Sequence, residues 1–300
     1  MANTVADLAR PAAARPQSTI SPLGQSILAL RRDRMAMLGF ALYIALVAAA
    51  LFAEILAPYD PTKVHMQDRL QGPSASYLLG TDELGRDLLS RLLFGARISM
   101  AVGFVSVGIG CTLGVLLGLV AGYRGGAVDS VIMRLLDGVL AFPSLILAMA
   151  IVSALGPSVF NAMVAIGVVS IPTFARITRG SVLSLREKEF VEASRATGAS
   201  DLYLMFRVIL PNCLSPLLVQ ISISFSYAIL TESALSFLGL GVQPPTPSWG
   251  AMLDTGRKFL SYTSWYAFTA GAAIFLAVLS LNLIGDGLRD ILDPRLQKKG

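Results

Sequence analysis

Residues 189–212 read EFVEASRATGASDLYLMFRVILPN, a charged and polar passage in a chain whose residues are 54% hydrophobic. As local structure it is two helices and a hinge. Glu187 to Ala196 is a helix-forming run, and Glu192 and Ala196 share a face one turn apart. Gly198 can take the left-handed conformation that ends a helix. Ser200 suits the N-cap of a second helix, with Asp201 in its first turn, where a carboxylate complements the helix dipole. Leu202, Met205, Phe206 and Ile209 recur at helical spacing and give that helix one apolar face. Pro211 closes it. A passive connector needs only a handful of residues. A hinged pair of helices with an apolar stripe reads as a docking element laid into a partner's groove, against the alternative of a loop folded back on its own bundle.

Only 14% of the 300 residues are charged and the mean hydropathy is +0.67. A soluble domain carries about 25% charged residues, so this composition predicts an all-α integral membrane protein. The single histidine, His65, excludes multi-histidine zinc motifs and argues against a Ser-His hydrolase; it is read as a surface loop residue. Cys111 and Cys213 lie in apolar surroundings and are read as small hydrophobes rather than as a bridge or metal ligands. The first 34 residues lack an apolar core behind a basic start, which does not match a cleavable signal. They are read as a tail, with a short helix around Leu23 to Leu30.

Spanning a hydrocarbon core of ~30 Å takes about 20 apolar residues in a helix. Six stretches approach that length: 35–57, 97–122, 135–155, 159–176, 214–239 and 266–286. Only Gly156, Pro157 and Ser158 separate the third from the fourth, which implies a tight turn. With the N-terminus in the cytoplasm, the outer segments hold only Lys63, Arg69, Arg86, Arg91, Arg97, Arg257 and Lys258 of the 24 Lys and Arg residues. Cytoplasmic loops attract these residues, so both termini and the segment 177–213 are expected to face the cytoplasm, with 58–96 outside and 287–300 a second tail. Gly110, Gly114, Gly118 and Gly122 form a stripe suited to close helix packing. Asp82, Glu83, Arg86, Asp87, Arg91 and Arg97 are expected to pair among themselves. Three prolines in QPPTPSWGAML argue against regular helix there, and Trp249 suits a membrane interface.

The run Glu192-Ala193-Ser194, then Gly198, then Ile209-Leu210-Pro211, resembles the EAA loop of bacterial ABC-transporter permeases, with Ser194 where the pattern has alanine. Four further blocks, LGTDELGRDLLSRLLFGAR, AGYRGGAVDSVIMRLLD, LSFLGLGVQPPTPSWGAML and NLIGDGLRDILDPRL, extend the likeness from about residue 31 to 297. Together they resemble the second permease of dipeptide, oligopeptide, glutathione or nickel importers. The resemblance implies a six-span, type I importer-like fold in the bacterial inner membrane, with a coupling helix around 199–206 seated in a cytoplasmic ATPase. Glu192, Ala193, Arg195, Gly198, Ala199, Ser200, Asp201 and Leu202 would form that coupling site. It further implies a second homologous permease, two ATPase subunits that bind ATP and magnesium, and a periplasmic or lipid-anchored binding protein. Consistent with this, the sequence has no GxxxxGK[ST] phosphate loop. No catalytic residue, metal site or nucleic-acid partner is expected.

Glu232 is the one ionisable residue well inside an expected span, and an intramembrane carboxylate is by default a functional candidate. It is read either as lining the substrate pathway, with Thr231 and Asn282 as weaker candidates, or as structural glue. Glu54, Asp137 and Asp286 lie near span ends and are read as structural. A stand-alone secondary transporter or channel would show internal repeats or several buried charges. An intramembrane protease would need paired aspartates or a nucleophile with its base. Neither pattern is present.

Overall fold

The computed structural model describes residues 33–292. The tail reading and the helix expected around Leu23 to Leu30 fall on residues 1–32, and most of the C-terminal tail on 293–300, outside the described residues. The chain is helical, with one isolated bridge pairing Thr81 and Asp87.

Helix α1 (Arg34–Leu51) starts at Asp33, whose carboxylate accepts from the amides of Met35 (2.8 Å) and Ala36 (3.3 Å). A long irregular segment leads to α2 (Leu88–Arg124). Next come α3 (Gly126–Leu140), α4 (Ser144–Leu155) and α5 (Val159–Leu185). After α6 (Glu189–Ala196), α7 (Asp201–Tyr203) continues through a π turn (Leu204–Ile209) and a 3-10 turn (Leu210–Cys213) into α8 (Leu214–Phe237). A short helix α9 (Trp249–Lys258) and α10 (Trp265–Leu292) complete the described residues.

Five of these segments are long and apolar enough to cross a membrane: α1, α2, α5, α7–α8 together and α10. A sixth crossing arises if α3 and α4, bent by 88° at their junction, count as one broken span. The continuous third span expected over 135–155 is therefore interrupted at Ala141–Pro143. Pro143 lacks an amide hydrogen and biases Phe142 away from the helical region, while apolar residues on both sides hide the break from a hydropathy window. The turn at 156–158 forms as expected: Ser158 caps α5 by accepting from Asn161 N, and Asn161 Nδ2 donates to the carbonyls of Leu155 and Gly156.

Two helices overrun their expected limits. α2 begins at Leu88 rather than 97, because Asp87 caps it by accepting from Ser90 N at 2.8 Å. Its 37 residues reach about 55 Å at 1.5 Å per residue, well beyond the bilayer core. α5 runs to Leu185 because Arg176 and Arg179, whose charges suggested a span end, pair with α3. Arg176 reaches Asp137 at 2.6 Å, and Arg179 grips Asp129 with two bonds of 2.5 and 2.6 Å.

The glycine stripe builds the centre. A methyl group at Gly110 would sit 2.8 Å from Ser170 Cβ, at Gly114 2.6 Å from Ile171 O, at Gly118 2.8 Å from Thr178 Cβ and at Gly122 2.8 Å from Val182 Cβ. α2 and α5 thus lie backbone to backbone, as a small-residue stripe permits. Gly167 of α5 reciprocates against Ile109. α10 packs on α1, α8 and α9 around this pair.

The segments between the spans, at 58–87 and before α9, are ordered by buried polar bonds. Arg86 Nε meets Asp82 at 2.6 Å and its Nη2 meets Glu83 at 2.8 Å, while Arg91 approaches Asp82 at 3.3 Å. Asp82 is fully buried. The expected pairing is partial: Asp87 is a helix cap, and Arg97 turns to Glu54 (2.8 Å) and to the Ala50 carbonyl (2.7 Å). Asp68 accepts from the Tyr77 hydroxyl, which pushes that phenol up to about 12. His65 lies in a loop, as expected, and is half-buried there, its amide donating to Leu84 O at 3.1 Å. Trp249 also differs from expectation. Ser248 caps α9 directly after the prolines, and Trp249 is buried with its Nε1 donating to Leu92 O at 2.9 Å, against the bare face of Gly95.

Candidate functional site

The polar passage 189–212 forms an elbow at one end of the bundle. α6 is anchored by Val191, the fully buried residue of that helix. At its end Gly198 takes φ +85°, and the amides of Gly198 and Ala199 return to the carbonyls of Arg195 (3.0 Å) and Ser194 (3.2 Å), as in a glycine-terminated helix. Ser200 then caps α7, accepting from Tyr203 N at 3.4 Å. The hinge foreseen at Gly198–Ser200 is present.

The second helix departs from expectation in two ways. Its apolar residues face two directions. Leu204, Met205 and Ile209 are buried in the bundle core, whereas Leu202 (69% exposed), Tyr203 and Phe206 point outward. The π turn causes this split, since bonds of the i→i−5 kind rotate side chains relative to a 3.6-residue helix. The helix also does not stop at Pro211. Leu210 N bonds to Met205 O, and the 3-10 turn that follows absorbs the missing amide hydrogen of proline. The elbow and α8 are one helical run, Asp201–Phe237.

Glu192, Ala193, Arg195, Gly198, Ser200, Asp201 and Leu202 are all exposed, while Ala199 is half-buried against the core. Tyr203 and Phe206, next to them in sequence, are exposed as well. Behind it stand residues that sequence reasoning passed over. Tyr123, at the end of α2, donates to Asp201 Oδ1 at 2.7 Å, and Arg195 lies beside the same hydroxyl. Arg186 Nη1 donates to the Gly122 carbonyl at 3.0 Å. For Tyr123 the available signal was a tyrosine at the end of the glycine stripe, in AGYRGG; Arg186 left none beyond its charge.

Glu232 is fully buried within this chain. Ser236 donates to it at 2.7 Å and Ser99 at 3.5 Å, with Ser233 and Ser248 also facing the carboxylate. These serines belong to α2, α8 and the cap of α9. Thr231 is buried and donates to Tyr227 O at 2.8 Å, while Asn282 is exposed on α10. Among the described residues, no group of three or more His, Cys, Asp or Glu side chains is placed to hold a metal.

Residues 114–298 match the family described as "Binding-protein-dependent transport system inner membrane component", and residues 21–73 match the N-terminal TM domain of oligopeptide transport permease C. The chain belongs to the binding-protein-dependent permease family. It is 48% identical over 283 residues to the di/tripeptide transport system permease protein DppC of Pseudomonas aeruginosa, covering 92% of this chain and 93% of that protein. It is 44% identical to the dipeptide transport system permease protein DppC of Alkalihalophilus pseudofirmus, covering 93% and 92%. It is 45% identical to the glutathione transport system permease protein GsiD of Pectobacterium atrosepticum, covering 89% of each. Among solved structures, the permease fold of the MetNI methionine ABC transporter, captured facing inward, superposes with a TM-score of 0.55 over 67% of this chain and 95% of that one. At 20% identity, that likeness concerns the fold alone. The chain is thus a multi-pass membrane permease subunit of a bacterial ABC importer, and the alternatives of a stand-alone transporter or channel fall away.

Proposed function

We propose that this permease subunit passes short peptides across the bacterial inner membrane, driven by ATP that partner subunits bind and hydrolyse with magnesium. The peptide reading rests on the relatives named above, whose printed substrates are di- and tripeptides and glutathione, itself a tripeptide. Both termini and the elbow lie in the cytoplasm in this reading. A second homologous permease completes the translocator, two ATPase subunits dock on the two halves, and a periplasmic or lipid-anchored binding protein delivers substrate outside.

One observation carries the proposal: an exposed apolar ridge, Leu202, Tyr203 and Phe206, on a helical run that continues unbroken into a membrane span. An ATPase cleft that closes on this ridge moves α8 directly. Glu192, Ala193 and Arg195 supply the rim of the contact, and Gly198 the turn that presents it. Glu232 is assigned the structural alternative, a carboxylate that gathers the hydroxyls of three elements.

The test uses the reconstituted importer complex with Gly198→Val. A Cβ at Gly198 meets nothing within 4 Å of this chain, so the substitution acts chiefly by opposing the positive φ, which a β-branched residue disfavours by about 1–2 kcal/mol or more. The expected outcome is continued ATP hydrolysis with peptide uptake per ATP reduced at least about fivefold. Normal coupled uptake would refute the elbow's role.

A further inference from the structure

The break between α3 and α4 opens a cleft of about 310 Å³, walled by the bent junction, the middle of α5 and the first half of α8. Six polar side chains line it: Ser144, Ser170, Thr173, Gln220, Ser224 and Tyr227. The remaining lining is apolar, and none of the lining residues is charged. The hydroxyls of Ser144, at the start of α4, and Tyr227, on α8, meet at 2.6 Å, and Gln220 Nε2 donates to Ser224 Oγ at 2.9 Å. Thr173 and Tyr227 are nonetheless exposed, Tyr227 by 47%.

This surface does not suit lipid. Ser144 with Tyr227 and Gln220 with Ser224 meet one hydrogen bond each, and Ser170 donates to Ile166 O at 2.8 Å. Their further donors and acceptors are unfavourable against hydrocarbon, and irregular backbone at membrane depth persists only against protein or water. At the bend, the last carbonyls of α3 and the first amides of α4 lose helical partners, and Pro143 brings no amide hydrogen. The charged groups nearby are engaged elsewhere. Asp137 holds Arg176 at 2.6 Å, and Glu232, five positions beyond Tyr227 on α8, is enclosed by serines. What faces the cleft is a set of neutral groups able both to donate and to accept.

We propose that this cleft is the substrate-contacting wall of the chain, and that it holds a peptide through hydrogen bonds to the amide backbone, not through ion pairs with side chains. The proposal rests on the peptide reading above. Hydroxyls and a carboxamide match the N–H and C=O groups that every peptide carries. A neutral wall therefore accepts acidic, neutral and basic peptides alike.

The experiment compares Gln220→Leu and Thr173→Val with the parent in the reconstituted complex, measuring uptake of an acidic, a neutral and a basic dipeptide. Loss of one uncharged hydrogen bond predicts KM raised about fivefold for all three alike. KM unchanged for all three, or raised for one charge class alone, would overturn the proposal. A second readout does not depend on uptake. Thr173→Cys is expected to react with a water-soluble maleimide in the complex, against the parent with only Cys111 and Cys213 as background, and a saturating dipeptide is expected to slow the reaction. No labelling in any nucleotide state would overturn a wet cleft. If the parent complex carries none of the three dipeptides, the peptide reading itself fails, while the labelling still decides whether the wall is aqueous.

Discussion

The hydroxyl of Tyr123 donates to the Asp201 carboxylate at 2.7 Å across 78 positions of sequence, joining the end of α2 to the first residue of α7. The elbow is thereby fastened to two elements at once, to α8 by chain continuity and to α2 by this bond. Since α2 lies against α5 along its glycine stripe, a displacement of Asp201 reaches the α2–α5 pair as well as α8. Tyr123→Phe removes the bond and keeps the ring. A charge-assisted bond of this kind contributes about 1–2 kcal/mol. The expected result is insertion at parental levels, with uptake per ATP hydrolysed lowered about two- to fivefold in reconstituted vesicles. Unaltered coupling would show that force travels through α8 alone.

The α2–α5 contact admits a stability test with an internal control. A side chain at Gly114 runs into Ile171 O and Phe174 Cβ, both 2.6 Å from the position of its Cβ, whereas Gly108 has nothing within 4 Å. Gly114→Leu is expected to cost about 3 kcal/mol or more, since overpacking forces backbone shifts, and to lower the thermal midpoint in detergent markedly. Gly108→Ala should be neutral or slightly stabilising, because alanine is the better helix former. Equal midpoints for both variants would contradict the backbone-to-backbone packing.

Asp82 holds the segment between α1 and α2. It is fully buried and meets both Arg86 and Arg91, themselves 7% and 6% exposed. Removing one partner of a buried ion pair leaves uncompensated charge and costs about 3–5 kcal/mol. Asp82→Ala is therefore expected to make residues 58–87 sensitive to protease from the outside of intact vesicles, while the membrane helices stay protected. Protease resistance equal to the parent would count against the cluster as the organiser of that segment.

Glu232 tests structure against transport. In Glu232→Ala the serines facing the carboxylate lose their shared acceptor, and buried unsatisfied groups cost about 1–3 kcal/mol. Glu232→Gln keeps the volume and one acceptor oxygen. The thermal midpoint should fall clearly for alanine and little for glutamine, with peptide KM in Glu232→Gln equal to the parent. A raised KM in Glu232→Gln with an unchanged midpoint would return this residue to the substrate path.

Legibility followed the kind of signal each feature leaves. The four-residue recurrence of glycine is a pattern, and the helix pair it predicts is present. Gly198 and Ser200 carry strong local preferences, so the hinge was readable. Pro143 was not, because Leu140, Phe142 and Leu145 kept the window apolar through the break. The spans were bounded at Arg97 and Arg176, whereas Asp87, expected to pair with neighbouring charges, caps α2 well before Arg97, and Arg176 and Arg179 are paired with α3, so both helices run past those limits. The apolar stripe of α7 was assigned one face because a regular helix was assumed, and the π turn is invisible to periodicity. A lone carboxylate inside a span draws notice, whereas Gln220 and Tyr227 in QISISFSYA barely move a hydropathy average. The neutral cleft therefore went unread.

The unbroken run Asp201–Phe237 makes the elbow one end of a lever. At 1.5 Å per residue, its 37 residues extend about 55 Å, so a tilt of about 10° pivoting at the elbow would swing the far end by about 10 Å. Gln220 and Ser224, part way along, would travel a fraction of that distance, and the cap against α9 would travel most of it. A small closing motion at one membrane face is thus geared up toward the other, with the π turn at Leu204–Ile209 as the compliant joint that sets how much of the stroke is delivered.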